Sequence, residues 1–175
     1  MKIAITGHTQ GLGLALSNLF TGLDHKVIGL SRSNGYDINN TDKIISIVKD
    51  CDVFINNAYD NTNQTKLLDH LFHHWLHTRK IIINIGSTVT LYPRIEQDRD
   101  NEPWPYREHK QDLEKTFRHL SKLPHTCQLH LISPGAMDTK MISHLDCIKM
   151  STKDVATIIC QTMHNPLIKE LVLYE

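Results

Sequence analysis

The chain has 175 residues, 40% of them hydrophobic and 22% charged, so it can bury a core and is expected to form one domain over residues 1–175. Nineteen basic and nineteen acidic residues cancel, which argues against nucleic acid or an anionic membrane as a partner, since both favour strongly basic surfaces. The sequence shows no membrane-length apolar run, no recognisable signal peptide and no CxxC pair among its four cysteines. We therefore expect a cytoplasmic protein with reduced thiols and a small-molecule partner.

Short β-rich runs alternate with amphipathic helical stretches, which predicts an α/β fold: a Rossmann-like, doubly wound parallel sheet in the order 3-2-1-4-5-6-7, with helices on both faces. The seven predicted strands are Lys2 to Thr6, Lys26 to Leu30, a stub near Tyr36 to Ile38, Asp52 to Ile55, Lys80 to Ile85, Gln128 to Ile132 and Leu171 to Tyr174. The helices are predicted to begin near Gly11, Thr41, Thr65, Pro105 and Ser151, with Thr41 and Ser151 as N-caps. One long irregular stretch, from Thr88 to Pro105, would follow a strand at the ligand-binding edge of such a sheet.

A glycine turn joins the first strand to the first helix. Its glycines are Gly7, Gly11 and Gly13. Residues without a β-carbon let the backbone approach a pyrophosphate, which then lies against the free amides and the positive end of the helix dipole. Gly7 and Gly11 would shape the turn, and Gly13 would allow the helix to pack closely. Glycine is also common in a plain turn, so the phosphate-binding interpretation depends on the position of the glycines between a strand and a helix and on the motifs nearby.

The residues after the second strand indicate which dinucleotide would bind. An acidic residue there would accept hydrogen bonds from a ribose 2′-hydroxyl, whereas a basic one would pair with a 2′-phosphate. The chain has Ser31 and Arg32 and no carboxylate from Leu30 to Ser33. NADP(H) is therefore favoured over NAD(H), although Arg32 could instead be a solvated loop residue.

The spacing TGxxxGxG resembles the short-chain dehydrogenase/reductase family, and further motifs of that family follow in order over nearly the whole chain. These are Asp37-Ile38, Asn56-Asn57-Ala58 with Tyr59 in place of the family's glycine, Asn84-Ile85-Gly86-Ser87, the YxxxK of Tyr106 to Lys110, and Ser133-Pro134-Gly135-Ala136-Met137-Asp138-Thr139. The resemblance implies hydride transfer between a nicotinamide and a carbonyl or alcohol. It also implies a homo-oligomer, either a dimer or a tetramer.

The chemistry of three of these side chains supports that expectation. Hydride transfer to a carbonyl carbon builds charge on the oxygen, which needs a proton donor and a second hydrogen bond. Tyr106 would be the donor, and Lys110, one helical turn later, would lower its pKa. The resemblance implies that Lys110 also binds the nicotinamide ribose. Ser87 would hold the carbonyl oxygen. The alternative is a partly buried tyrosine beside a lysine whose ammonium reaches solvent.

The family's fourth catalytic residue is an asparagine in its fourth helix, and this chain is short in that region. Asn63 is the best candidate and Asn61 the second, although both could be plain turn residues. The long stretch between Ser87 and Tyr106 either covers the substrate site or is a passive insertion. The glycine turn and the resemblance together predict the following cofactor contacts: Gly7, Thr9, Gln10, Gly11, Leu12, Gly13, Ser31, Arg32, Asp37, Ile38, Asn57, Ala58, Tyr59, Tyr106, Lys110, Pro134, Gly135 and Thr139.

Four histidines fall on one face of the helix predicted from Thr65: His70, His73, His74 and His77. This face could bind zinc, but the proposed chemistry needs no metal, and we expect a solvated face or a subunit contact. The leading hypothesis is an NADPH-dependent reductase of small carbonyls. The alternatives are a non-catalytic, redox-sensing dinucleotide-binding protein and a nucleotide-sugar epimerase or dehydratase, for whose extra substrate domain we expect no room.

Overall fold

The computed structural model describes residues 1–92, 104–144 and 146–174. The irregular stretch predicted from Thr88 to Pro105 falls largely on residues 93–103, which lie outside the described residues. Its two ends are described. A short 3-10 helix spans Thr88–Thr90, and a long α-helix begins at Trp104.

The centre of the fold is one parallel sheet of six strands in the order β2-β1-β3-β4-β5-β6. Each neighbouring pair is parallel; Ile3, for example, pairs with Val27 on one side and with Val53 on the other. The strands are β1 (Lys2–Thr6), β2 (Lys26–Leu30), β3 (Val53–Asn56), β4 (Ile81–Ile85), β5 (Gln128–Pro134) and β6 (Glu170–Leu173).

Helices cover both faces of this sheet. They are α1 (Gly11–Gly22), α2 (Thr41–Val48), α3 (Asn63–Trp75), α4 (Trp104–Leu120) and α5 (Thr152–Thr162). Successive side chains of a strand point to opposite faces, so Ile3 and Ile5 pack with α1 and α5, whereas Ala4 packs with α2, α3 and α4. The chain therefore has two apolar cores, and the predicted doubly wound α/β architecture is confirmed.

The predicted strand near Tyr36 to Ile38 is wrong, and within the described residues the sheet has six strands. The amide of Tyr36 donates to the carbonyl of Ser31 at 2.8 Å, and Gly35 has a left-handed φ of +84°. These local contacts turn the chain back on itself, so its backbone groups do not pair with β2. Ile38 instead buries its side chain in the core that contains Ala4.

One predicted N-cap and one predicted helix start differ from the structure, whereas α2 begins at Thr41 as predicted. The N-cap of α2 is Asn40 rather than Thr41, because the Asn40 side chain accepts the amide of Lys43 at 3.2 Å and Thr41 is already helical. Helix α3 begins at Asn63, two residues before the predicted start. The predicted N-cap at Ser151 is confirmed by its bond from the Lys153 amide at 3.2 Å.

The histidine face of α3 points away from the core. Three of the four predicted histidines, His70, His73 and His74, lie on α3, and His77 follows its last residue; all four are exposed. The apolar residues of the opposite face, Leu68, Leu71, Phe72 and Trp75, are buried. Across the described residues there is no group of three or more side chains placed to hold a metal ion. In the same residues we find no helix with the length and apolar character that crossing a bilayer requires.

Candidate active site

A cleft of about 560 Å³ opens at the carboxyl ends of β1 to β4, the edge of the sheet where open α/β folds bind ligands. The start of α4 and the segment after β5 complete its walls. It gathers most of the predicted cofactor contacts: Gly7, Thr9, Gln10, Gly11, Leu12, Ser31, Arg32, Asp37, Ile38, Asn57, Ala58, Tyr59, Tyr106, Lys110 and Thr139.

The glycine turn has the geometry that a bound anion requires. Gly7 and Gly11 have φ values of +69° and +52°, where a β-carbon would be strained. A β-carbon on Gly13 would lie 2.1 Å from the carbonyl oxygen of Gly7, so only glycine lets α1 start this close to the turn. Among the described residues, no side chain caps the start of α1 and no acidic residue lies in its first turn. Its first amides therefore face the cleft without a side-chain acceptor, as a pyrophosphate site needs.

Asn57 supports the turn from the neighbouring strand. Its side-chain amide donates to the carbonyl of Thr6 at 2.9 Å, and the backbone amides of Asn57 and Ala58 donate to the Thr6 hydroxyl at 2.9 and 3.0 Å. These bonds join the end of β3 to the end of β1. Asn57 therefore both lines the cleft and holds the glycine turn in place.

The far end of the cleft holds the predicted adenosine-side residues. Ser31 starts a 3-10 helix over Arg32–Asn34, and its amide donates to the side chain of Asn34 at 2.8 Å. Arg32 is exposed on this helix and lines the cleft. Ser33 and Tyr36 line it too, although sequence reasoning did not select them. This end thus presents one guanidinium and two hydroxyls from consecutive residues.

Tyr106 and Lys110 meet the cleft from the first turns of α4. Lys110 is only 2% exposed, and its ammonium lies 5.5 Å from the centre of the Tyr106 ring. The remaining residues of this helix face, Leu113, Phe117 and Leu120, are buried, as the spacing predicts. The two polar groups therefore sit between the apolar core and the cleft.

Burial controls the ionisation of both groups. The pKa of Lys110 is lowered to about 7, because burial penalises the ammonium more than nearby Glu114 stabilises it. Burial raises the pKa of Tyr106; the Ser87 side chain lowers it and Tyr59 raises it further. The structure therefore does not show the lowered phenol pKa expected from the sequence, because the effect of burial on Tyr106 outweighs that of the Ser87 side chain.

Ser87 lies beside Tyr106, at the end of β4. It is the N-cap of the Thr88–Thr90 helix and accepts the amide of Val89 at 3.3 Å. Its side chain lies near enough to the Tyr106 hydroxyl to lower the pKa of that group. The predicted serine and tyrosine are thus brought together, although Ser87 is not part of the cleft wall.

Tyr59 stands where the resembled family has glycine, and its ring contacts the same site. The ring lies edge-on against Tyr106, with 4.7 Å between the ring centres. Its hydroxyl is 3.0 Å from Nδ1 of His109, and the Lys110 ammonium lies 5.8 Å from its ring centre. Burial raises the pKa of Tyr59, and Asp60 raises it further. A second phenol therefore adjoins the proposed proton donor.

Several solved structures have the same arrangement of strands and helices as this chain. The chain superimposes on a 3-ketoacyl-(acyl-carrier-protein) reductase from Brucella melitensis, complexed with NADH, with a TM-score of 0.79 at 15% identity, covering 98% of this chain and 95% of that one. It superimposes on a 3-alpha-hydroxysteroid dehydrogenase from a Pseudomonas species, complexed with NADH, with a TM-score of 0.77 at 17% identity, covering 99% and 94%.

A short chain dehydrogenase from Burkholderia cenocepacia, in complex with NADP, gives a TM-score of 0.73 at 16% identity and covers 99% of this chain and 88% of that one. The chain has the short-chain dehydrogenase/reductase fold. No family model and no curated protein sequence matches it. Of these three structures, two hold NADH and one holds NADP.

Within this fold, a side chain that sequence reasoning did not select bonds the buried lysine directly. The side-chain amide of Asn63 donates to Asp60 at 2.9 Å, and Asn63 is not a hydrogen-bond partner of Lys110. The next residue, Gln64, accepts from the Lys110 ammonium at 2.8 Å. The sequence contained a signal for this contact. Gln64 lies three and four residues before Leu67 and Leu68, so it places a polar side chain on the apolar face of α3.

The segment after β5 contributes less than predicted. Pro134 is buried in the strand and the amide of Gly135 donates to the carbonyl of Leu173 at 2.8 Å; neither lines the cleft. Thr139 does line it and lies close to Gly11, where an added β-carbon would be 3.1 Å from its methyl group. Lys140 joins it in the cleft wall, a residue that sequence reasoning missed.

Proposed function

We propose that this protein is an oxidoreductase that binds a nicotinamide dinucleotide and interconverts a small carbonyl compound and its alcohol. The observation that carries the proposal is the single cleft that joins an uncapped glycine-turn helix start to Tyr106 and Lys110. The first feature favours a pyrophosphate, and the second supplies a proton donor beside a cation.

Each side chain has a defined part in the proposed reaction. The reduced nicotinamide, when bound, supplies the hydride that the carbonyl carbon accepts. Tyr106 gives its phenolic proton to the carbonyl oxygen, so that the alcohol leaves neutral, and Ser87 donates a hydrogen bond to the same oxygen. Lys110, held beside the phenol, stabilises the phenolate that remains until a proton returns from solvent.

The test of this mechanism is Tyr106→Phe, which removes the phenolic hydroxyl and keeps the ring. We expect the dissociation constant for NADPH to change less than about twofold, while carbonyl reduction falls by at least about 100-fold, the lower range for loss of an acid catalyst. Tyr92→Phe is the matched control, since Tyr92 is 50% exposed and its side chain lies outside the cleft. Normal turnover by Tyr106→Phe would refute the assignment of the proton donor.

We further propose that NADP(H) is preferred to NAD(H). Arg32 is exposed at the cleft beside Ser31 and Ser33, and this set of donors suits a 2′-phosphate. Arg32→Gln should weaken NADPH binding by about 10- to 100-fold, the range for one charge-assisted hydrogen bond, and leave NADH binding nearly unchanged. Arg79→Gln, an exposed arginine outside the cleft, is the control. Equal losses for the two dinucleotides in Arg32→Gln would contradict the preference.

A second candidate function is supported by Tyr59. Its ring packs edge-on against Tyr106 where the resembled family has only a hydrogen atom, which leaves less room for a substrate at the phenol. A protein that binds the dinucleotide and senses its redox state without catalysis would tolerate this. Tight NADPH binding with no oxidation across a panel of aldehydes and ketones would favour the sensor, whereas turnover of any member would favour the enzyme.

A further inference from the structure

The side chain of Gln64 reaches from the first turn of α3 to the ends of β3 and β4 and to Lys110 on α4. It is 2% exposed, and its Nε2 donates to the carbonyl oxygens of Asn56 and Ile85 at 2.7 and 3.1 Å. Those two carbonyls are the last of β3 and β4. Because both groups accept only, the nitrogen of the amide must face them and the oxygen must face the opposite side.

The oxygen of that amide faces Lys110. Nζ donates to Gln64 Oε1 at 2.8 Å and to the carbonyl of Ile85 at 2.7 Å. Ile85 thus accepts from both Gln64 and Lys110, and the three groups form a closed set. Two of the three N–H groups of the ammonium are used, which leaves one for the cleft that Lys110 lines.

We propose that Gln64 is the positioning residue for Lys110: its amide oxygen fixes the ammonium against the end of β4 so that the remaining N–H points into the cleft. This inference rests on the proposed function, in which that N–H serves Tyr106 and the bound dinucleotide. Gln64 acts through Lys110 and touches neither of those partners itself.

The charged groups around the Lys110 ammonium show why the Gln64 oxygen matters for keeping Lys110 protonated. Glu114 attracts the ammonium from the next turn of α4, but Glu114 also accepts from Thr90 at 2.6 Å and lies 3.6 Å from Arg118. The other titratable groups that face Lys110 or its contacts are Tyr59, Tyr106, Asp60 and His109. Among the described residues, Gln64 is the only side chain that accepts a hydrogen bond from this ammonium.

An acceptor at 2.8 Å stabilises the charged form of a lysine that burial pushes toward the neutral form. Removing the acceptor should therefore lower the pKa of Lys110 below about 7. The lowered value would move the loss of the ammonium, and of every property that depends on it, to lower pH.

The experiment replaces Gln64 by Met, which is similar in length and has no strong acceptor. We expect the pKa of Lys110, followed by NMR of protein with isotope-labelled lysine, to fall by about 1 to 2 units, as loss of one hydrogen bond to a charged group predicts. The pH at which NADPH binding weakens, measured by fluorescence titration, should fall by the same amount. The basic limb of carbonyl reduction should shift with it, while the KM of the carbonyl compound stays constant.

The control is Ile159→Val, a buried position on α5 in the other core, which lowers stability without touching Lys110. A purely structural role for Gln64 predicts that Gln64→Met, like this control, loses stability with no shift of the Lys110 pKa; that result would overturn the proposal. Should Gln64→Met not fold, Gln64→Asn withdraws the amide by one methylene group, and a smaller shift in the same direction is expected. An unchanged pKa in folded Gln64→Asn would likewise overturn it.

The two proposals fail in different ways. If no carbonyl compound is ever turned over, the proposed function fails, but the NMR measurement still tests whether Gln64 controls Lys110. If turnover is normal and Gln64→Met leaves the pKa of Lys110 unchanged, the proposed enzymatic function is supported and the positioning role of Gln64 is wrong.

Discussion

Lys110 should make the free energy of unfolding depend on pH, and the substitution Lys110→Met should remove that contribution. Its pKa is about 7 in the folded protein, against 10.5 for an unperturbed lysine. Between these two values the unfolded chain binds a proton that the folded protein has released, so the free energy of unfolding rises as pH increases. Below pH 7 both states are protonated, and the folded protein carries the full penalty for burying the ammonium.

The magnitude follows from the proton count. Each pH unit over which the two states differ by one proton changes the free energy of unfolding by about 1.4 kcal/mol. From pH 7 to pH 9 the folded protein loses the half of a proton that it still holds, and the unfolded chain loses almost none. The contribution of Lys110 should therefore increase by about 2 kcal/mol over this interval.

Urea unfolding of the wild-type protein and of Lys110→Met at both pH values measures this directly. Other titrating groups, and the hydrogen bonds lost in the variant, contribute nearly equally at the two pH values and cancel in the double difference. The wild-type protein should gain about 2 kcal/mol relative to Lys110→Met between pH 7 and pH 9. A double difference near zero, or one of opposite sign, would refute the reasoning that Lys110 is a buried amine with a depressed pKa.

The remaining predictions concern the glycine turn and the second phenol. Gly13→Ala should lower the free energy of unfolding by about 1 to 3 kcal/mol, because the added β-carbon would overlap the Gly7 carbonyl. Gly22→Ala is the control and should not destabilise the protein, since no atom lies within 4 Å of its added carbon. Equal urea midpoints for the two variants would contradict the close approach of Gly13 to Gly7. Tyr59→Phe should lower the pKa of Tyr106, because Tyr59 raises it; an ultraviolet titration of the phenolate that shows a rise would refute this.

Much of the fold could be predicted because local patterns and packing agree. The apolar runs of β1, β3 and β4 have near-complete burial, so a hydrophobic run at each of these positions identifies an interior parallel strand. The stretch near Tyr36 to Ile38 has an apolar or aromatic residue at each end, but the contacts that turn it away from the sheet come from Ser31 and Gly35. Such contacts decide whether a segment forms a local turn or an edge strand, and the hydrophobic pattern of the sequence does not reveal them.

The candidate site was predictable where function depends on short sequence spacing. Gly7, Gly11 and Gly13 fix the turn locally, and the four-residue interval from Tyr106 to Lys110 places both on one helix face. The contact with Lys110 across 46 residues could not be read in this way. It depends on the starting residue of α3, and a shift of one residue along that helix exchanges Asn63 for Gln64. The rise in the Tyr106 pKa was missed for a related reason, since burial is a property of the packed protein.

We propose that the cleft binds a nicotinamide dinucleotide and that Tyr106 supplies the proton that accompanies hydride transfer from it. The most direct measurement uses NADPH carrying deuterium at the transferable position of the nicotinamide, a panel of small aldehydes and ketones, and mass spectrometry of the alcohols formed. The wild-type protein should form at least one alcohol with deuterium on its carbinol carbon, and Tyr106→Phe should form none above background. Saturable NADPH binding without deuterium in any alcohol would contradict catalysis, and absence of NADPH binding would contradict the proposed function from its first step.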